Sequence, residues 1–383
     1  IKPFGTIFIN SLKLIAIPLI LASLIKGVSD LKDISKLSSM GTITITTYLT
    51  TTVIAVTVGL LLVNIVKPGD SISEKTRTEL IGQYDSDAEK KRNAAAETKE
   101  AGPLQPLVDL VPSNFVAAAS DNKNMLQVIF FSILFGISMI LIPPNKAKPI
   151  KDFFDSFNEV VLKIIDIIMM FAPYGVFGLL AALIVEAPNA DLLQSLLMYS
   201  LTLLLGLMMM IVIYLMIVKL LTGRNPISFL KAILPAQLVA FSTSSSAATL
   251  PVTMDRVQNH LNVEKEVSSF VLPIGATINM DGTAVYQAVA AVFIAQTFGL
   301  DLSFTAQLGI ISTATLASIG AAAVPSAGII VLVIVLAQAG IPEAGLALIF
   351  AVDRPLDMCR TVVNITGDAT VSTIVSKFQK NQN

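Results

Sequence analysis

The sequence predicts an all-α polytopic membrane protein, and three observations carry that prediction. Of 383 residues, 54% are apolar and only 14% charged, against roughly 25% charged in ordinary soluble proteins. The charges are unevenly placed, with fourteen of the 53 between Asp70 and Glu100. Several uncharged runs reach the ~20 apolar residues that a spanning helix needs. This composition excludes a soluble enzyme, a disulfide scaffold and a disordered chain. A net charge of −1 without a basic tract gives no sign of nucleic acid. Cys359 is the sole cysteine and His260 the sole histidine, which removes intrachain disulfides and Cys- or His-based metal clusters. The chain starts at Ile1 with no signal-peptide pattern, so an upstream segment is expected.

In chain order, residues 3–25 form one apolar stretch, interrupted only by Lys13, and 37–66 a second. Residues 70–123 are too hydrophilic to enter lipid and read as a loop. Runs 124–145, 167–185 and 192–218 are each long enough to span. Residues 302–342 then give 41 uncharged residues, far more than one crossing, with the breaker-rich Ser318-Ile-Gly-Ala-Ala-Ala-Val-Pro-Ser-Ala-Gly328 in the middle. Each half is short for a span, so a re-entrant helical hairpin is expected. Residues 232–254 repeat this design around Ser242-Thr-Ser-Ser-Ser246 and Pro251. Non-helical backbone at membrane depth must be buried in protein or line a wet cavity.

Basic loops (Lys26/Lys32/Lys36, Lys146/Lys148/Lys151, Lys219/Arg224/Lys231, Lys377/Lys380) alternate with acidic ones (Glu186/Asp191, Asp301, Glu343). Placing the basic loops in the cytoplasm requires both hairpin segments to return to the side they left. The C-terminus is then cytoplasmic and 70–123 extracytoplasmic. Each hairpin is followed by a helix carrying charge: one broken at Asn279-Met280-Asp281-Gly282-Thr283, the other holding Asp353, Arg354, Asp357, Arg360, Asn364 and Asp368. Hairpin plus charged helix, twice and from opposite sides, makes an inverted repeat.

Asp353, Asp357, Arg360, Thr361, Asn364 and Asp368 fall within an arc of about 100° on one helix. Such a stripe must face protein or water. A self-neutralising seam with Asp357 and Arg360 paired is the bland reading. It leaves the two broken hairpins unexplained. Asp281, Asp353, Asp357 and Asp368 against Arg354 and Arg360 leave a net −2 in the core, so cations are expected there. Carboxylates, the Asn279 and Asn364 amides and carbonyls at helix breaks are hard donors, suited to Na⁺. Arg360 is a fork for a carboxylate and Asp357 a partner for an ammonium. Helix N-termini at the hairpin tips offer N–H groups to a second carboxylate. An acidic amino acid matches this set.

Four ordered motifs carry a resemblance: Ser242-Thr-Ser-Ser-Ser-Ala-Ala-Thr-Leu-Pro-Val-Thr253, Asn279-Met-Asp-Gly-Thr283, Ala317-Ser-Ile-Gly320 and Asp357-Met-Cys-Arg-Thr-Val-Val-Asn-Ile-Thr-Gly-Asp368. Together they resemble the glutamate transporter homologues of the dicarboxylate/amino acid:cation symporter family, over nearly the whole chain. The resemblance implies a homotrimer in the cell's inner (plasma) membrane, with a transport unit sliding like an elevator against a trimerising scaffold. It implies a secondary symporter for aspartate or glutamate, with Na⁺ as co-transported ligand, no cofactor and no enzymatic chemistry.

The expected division is a scaffold span at 1–36, a transport-domain span at 37–69, the loop 70–123, scaffold spans at 124–190 and the rest of the transport domain at 191–383. The last contains a span, hairpin one (226–257), the broken helix (263–298), hairpin two (302–340) and the final helix (341–378). By motif position, Arg360 holds the substrate side-chain carboxylate and Asp357 its amine. Thr283, Thr361, Asn364, Ser245, Ser246 and the second tip near Val324 and Gly328 hold the rest. One sodium site uses Gly275, Asn279, Asn364 and Asp368; a second uses Thr277, Met280, Ser318 and Ile319; a third uses Asp281 with Tyr48, Thr51 and Thr52.

The chain also departs from the pattern. Ser244 and Met358 stand where relatives often carry an arginine, and Arg354 lies one turn before Met358. Ala323 and Ser326 replace frequent glycines, which stiffens that gate. Gln287 stands where eukaryotic relatives have a glutamate linked to proton movement, which favours sodium alone over proton-coupled glutamate transport. Among other substrates, Asp357 argues against C4-dicarboxylates and Arg360 against neutral amino acids. A channel needs weak sites along a pore, not both signs of charge at one locus. Met208-Met-Met210 reads as packing, and the tip serines lack a base to become nucleophiles.

Overall fold

The computed structural model describes residues 2–29, 38–73, 78, 111–120, 124–171, 174–175, 177–178, 190–319 and 327–382. Among these, all regular structure is helical, which is how a chain satisfies its backbone in lipid without closing a barrel. The first helix, α1 (Lys2–Ser29), and α2 (Ser38–Val66) match the first two apolar stretches. Next come a short α3 (Phe115–Ala119), α4 (Met125–Leu141), α5 (Pro144–Met170) and α6 (Ala190–Ile217).

Hairpin one is α7 (Pro226–Thr243) and α8 (Ser246–Asn259), packed side by side. Asn225 starts it, accepting from the Ile227 and Ser228 N–H groups at 2.9 and 3.2 Å with Pro226 behind it. The broken helix is α9 (Lys265–Ile278) and α10 (Asp281–Thr297). The arms of hairpin two are α11 (Phe304–Ile319) and α12 (Ala327–Gln338), which also pack together. One long helix, α13 (Leu346–Gln382), closes the chain.

Two expectations change. Lys146, Lys148 and Lys151 lie on the opening turns of α5 instead of in a loop, with Lys148 paired to Asp152 at 2.7 Å. This helix is polar along most of its length and ends at Met170, so it overlaps only the start of the expected span 167–185, of which residues 172–173, 176 and 179–185 lie outside the described residues. Within 70–123, residues 115–119 are helical, because Asn114 accepts from Val116 and Ala117 N–H and Phe115 stacks on Phe131 of α4 with centroids 4.0 Å apart. The charged centre of that loop, and Lys32, Lys36 and Glu186, lie outside the described residues.

Packing explains which helices face lipid. On α6, Leu193, Leu197, Leu201 and Leu205 are exposed at intervals of four, with Met208 and Met209 beyond them, while Tyr199, Leu203 and Met210 point inward. That is an apolar outer stripe, the pattern of a lipid-facing span. Met40–Ser71, Asp191–Thr222, Pro226–Thr243 and Lys265–Thr297 are each long and apolar enough to cross a membrane, and the most apolar part of the last is wholly enclosed by protein.

Its second half, α10, is the hub: α2, α6 and α13 pack around it with both arms of hairpin two. Small residues set these crossings. A Cβ on Gly59 would lie 2.9 Å from the Val285 carbonyl, so only glycine lets α2 sit so close to α10. By contrast α1, α4 and α5 pack on one another, tied by Lys26 to Asp155 at 2.7 Å. They meet the rest mainly where α1 and α4 touch the hairpin-two arms and α1 touches α9.

Candidate functional site

The break between α9 and α10 leaves helix ends facing each other in the protein interior, with terminal carbonyls on one side and N–H groups on the other. Side chains of α13 fill the gap. The Gly282 N–H donates to Asn364 Oδ1 at 2.8 Å. Asn279 Nδ2 donates to Asp368 Oδ1 at 2.9 Å and to the Asn364 carbonyl at 3.4 Å. Asn279 Oδ1 is buried and has no hydrogen-bond partner among the described residues. Glycines make the approach possible. A Cβ on Gly275 would collide with the Tyr48 hydroxyl and the Asp368 carboxylate, and one on Gly282 with the Arg360 carbonyl. Gly275, Asn279, Asn364 and Asp368, the set that the family resemblance implies for one sodium site, sit together.

Asp281 opens α10 and is fully buried. Thr52 Oγ1 donates to its Oδ1 at 2.6 Å and the Tyr214 hydroxyl donates to its Oδ2. Thr51 donates to the Tyr48 carbonyl at 3.0 Å, one turn back on the same helix, and the Tyr48 hydroxyl donates to the Val271 carbonyl at 3.1 Å. Asp281, Thr52, Thr51 and Tyr48 are thus gathered in one region. Tyr214 of α6 was not foreseen, since nothing in its spacing marks it as more than a core aromatic.

Around Arg360, the pairing with Asp357 that the sequence offered is present, while its contacts with Asp353 and Tyr286 were not foreseen. The arginine side chain is fully buried, and its Nη2 donates to Asp353 Oδ1 at 2.9 Å and to Asp357 Oδ1 at 2.8 Å. Its Cζ lies 3.8 Å from the centre of the Tyr286 ring, a cation–π contact. Nε and Nη1 have no partner among the described residues. A Cβ at Gly328 would lie 3.4 Å from Nη1 and 3.3 Å from Thr283 Cγ2, so Arg360, Thr283 and Gly328 converge. Thr361 is buried and returns its hydroxyl to the Asp357 carbonyl at 2.9 Å.

Hairpin one leans on α13 through Ala236, Ala240 and Ile365, and Gln237 donates to Thr366 at 2.9 Å. At its tip Ser244 takes a left-handed conformation (φ 52°) and its buried hydroxyl has no partner among the described residues. Ser245 caps α8, accepting from the Ala248 N–H at 3.1 Å, and Ser246 is buried beside it.

The remaining sodium set is less gathered. Thr277 is exposed and donates to the Ile274 carbonyl at 3.0 Å. Met280 and Ser318 are buried, and Ser318 donates to the Thr315 carbonyl at 2.8 Å. Ile319 ends α11, which touches α9. Val324, with Ala323 and Ser326, lies outside the described residues.

Comparison with known proteins places the whole chain in one family. Residues 1–378 match the model of the sodium:dicarboxylate symporter family. An excitatory amino acid transporter of Caenorhabditis elegans is 36% identical, over 98% of this chain and 81% of that protein. The human excitatory amino acid transporter 3 is 38% identical, over 99% of this chain and 79% of its own length. A proton/sodium-glutamate symport protein of Bacillus caldotenax is 35% identical, over 100% of this chain and 89% of that protein. With buried acids and an arginine gathered around a broken helix, and with a match that runs from end to end, this chain belongs to the sodium:dicarboxylate symporter family.

Proposed function

We propose that the protein is a secondary active symporter that carries aspartate or glutamate into the cell with Na⁺. The observation that carries the reading is Arg360: a buried guanidinium, anchored through one nitrogen to two acids, whose Nε and Nη1 have no partner among the described residues. A buried donor without a partner costs free energy, and a substrate carboxylate satisfies it with selective geometry. Asp357 then takes the ammonium, while Thr283, Thr361, Asn364, Ser245, Ser246, Val324 and Gly328 surround the remainder. Sodium neutralises Asp281 and Asp368, with Asn279 Oδ1 as a ready ligand; Tyr48, Thr51 and Thr52 complete one site, Gly275 and Asn364 another, and Thr277, Met280, Ser318 and Ile319 a third.

In the same proposal, 1–36 and 124–190 form a trimerising scaffold in the plasma membrane. Residues 37–69 and 191–383 move against it as an elevator, with the C-terminus in the cytoplasm. The test is uptake of labelled aspartate into proteoliposomes. Uptake is expected only with an inward sodium gradient, and equal uptake in potassium overturns the reading. A proton gradient alone is expected to drive nothing, because the buried Gln287 offers an amide where a titrating carboxylate would stand.

A further inference from the structure

Asp357 has a second basic neighbour. Its Oδ1 holds Arg360 at 2.8 Å, and its Oδ2 faces Arg354 Nη1 at 3.9 Å. That second distance is an ion pair without a hydrogen bond. The Arg354 side chain is 54% exposed, against 9% for Asp357. Asp353, Arg360, Asp357 and Arg354 therefore form a row of alternating charges that runs from the sealed interior to the exposed surface.

We infer that Arg354 is a built-in counter-ion that holds the place of the substrate ammonium at Asp357 and sets how well the site tells amino dicarboxylates from amine-free ones. This rests on the reading of Asp357 and Arg360 as the substrate pair. An ammonium reaches a carboxylate at about 2.7–2.9 Å, so it displaces a guanidinium held only at 3.9 Å and more than half exposed. The displaced pair is lost, which weakens amine-bearing ligands. A dicarboxylate without an amine leaves Arg354 where it is, and Asp357 is not stranded as a poorly compensated buried charge. The Arg360 guanidinium cannot serve this purpose, being buried and bonded to both acids.

The test is calorimetry on the purified protein in sodium buffer with aspartate and succinate as the two probes. In Arg354→Gln, aspartate is expected to bind about three- to tenfold tighter and succinate weaker by a similar factor. Arg354→Lys keeps the charge and should keep the wild-type ratio. Arg354→Met retains the apolar stem and gives the same readout should the glutamine variant not fold. A parallel loss for both ligands overturns the inference, because Arg354 then reads a carboxylate or supports the fold. No change in either also overturns it. A wild type that shows no sodium-dependent aspartate binding overturns the substrate reading itself, a distinct failure.

Discussion

At the scale of single residues, Arg360 carries the sharpest prediction. Replacing it with Thr removes the carboxylate's partner in a closed site, at a cost on the order of 3–5 kcal/mol. Aspartate affinity should fall by roughly 100-fold or more, and sodium-dependent serine or alanine uptake should appear in the vacated space. A variant that still prefers aspartate to serine defeats the assignment. The structure adds a second consequence: Arg360→Thr also deprives the buried Asp353 of its cation. The double variant with Asp353→Asn should therefore be recovered in better yield than the single one. Asp353 was legible only as one member of a polar stripe, because a stripe gives a face and no pairing. Tyr214 and Tyr286 were not legible at all. Their partners are 67 and 74 residues away in sequence, and only the crossing of α6, α10 and α13 brings them near.

At the scale of elements, the broken helix depends on a glycine contact. In Gly282→Ala the new methyl meets the Arg360 backbone, so α10 must back away from α13. A loss of about 1–3 kcal/mol is expected, visible in thermal unfolding, with weaker aspartate binding. A second element-level contact fastens hairpin one to the end of α13. Glu264, between α8 and α9, meets Lys380 at 2.7 Å and accepts from Ser376 at 2.6 Å. Desolvation is the largest single influence and raises the Glu264 pKa, but the hydrogen bonds from Lys380, Ser376 and the backbone, with the Lys380 charge, together outweigh it and hold the carboxyl below its usual 4.5. A depressed acid stabilises above its unfolded pKa and stops doing so as pH falls through the folded one. Glu264→Gln should thus lower the melting temperature slightly at pH 7, with the pair worth under about 1 kcal/mol at this exposure. The difference should vanish near pH 3; a gap that persists there rules the pair out. The break in hairpin one was readable from its serine-rich run, Ser242–Ser246, whereas the polar start of α5 was not, because apolarity and helicity end at different residues.

At the scale of the molecule, the proposed sodium sites at the buried acids tie stability to sodium. Asp281 and Asp368 are both sealed, and a cation that binds only the folded protein stabilises it by mass action. The melting temperature should rise with sodium concentration and not with potassium, and Asp281→Asn and Asp368→Asn should each flatten that rise. By reciprocal coupling, lowering sodium should weaken aspartate binding. The same charges have an electrical consequence. Asp281, Asp353, Asp357 and Asp368 against Arg354 and Arg360 sum to two negative charges in the polar cluster of α10 and α13. A potential of about 100 mV is worth about 2.3 kcal/mol per charge that crosses it fully. On the elevator proposal a negative cell interior drives the unloaded body outward, toward the side where sodium and substrate wait, and filling the three proposed sodium sites together with a substrate of net charge −1 cancels that push. On that proposal the membrane voltage acts on the return of the empty carrier.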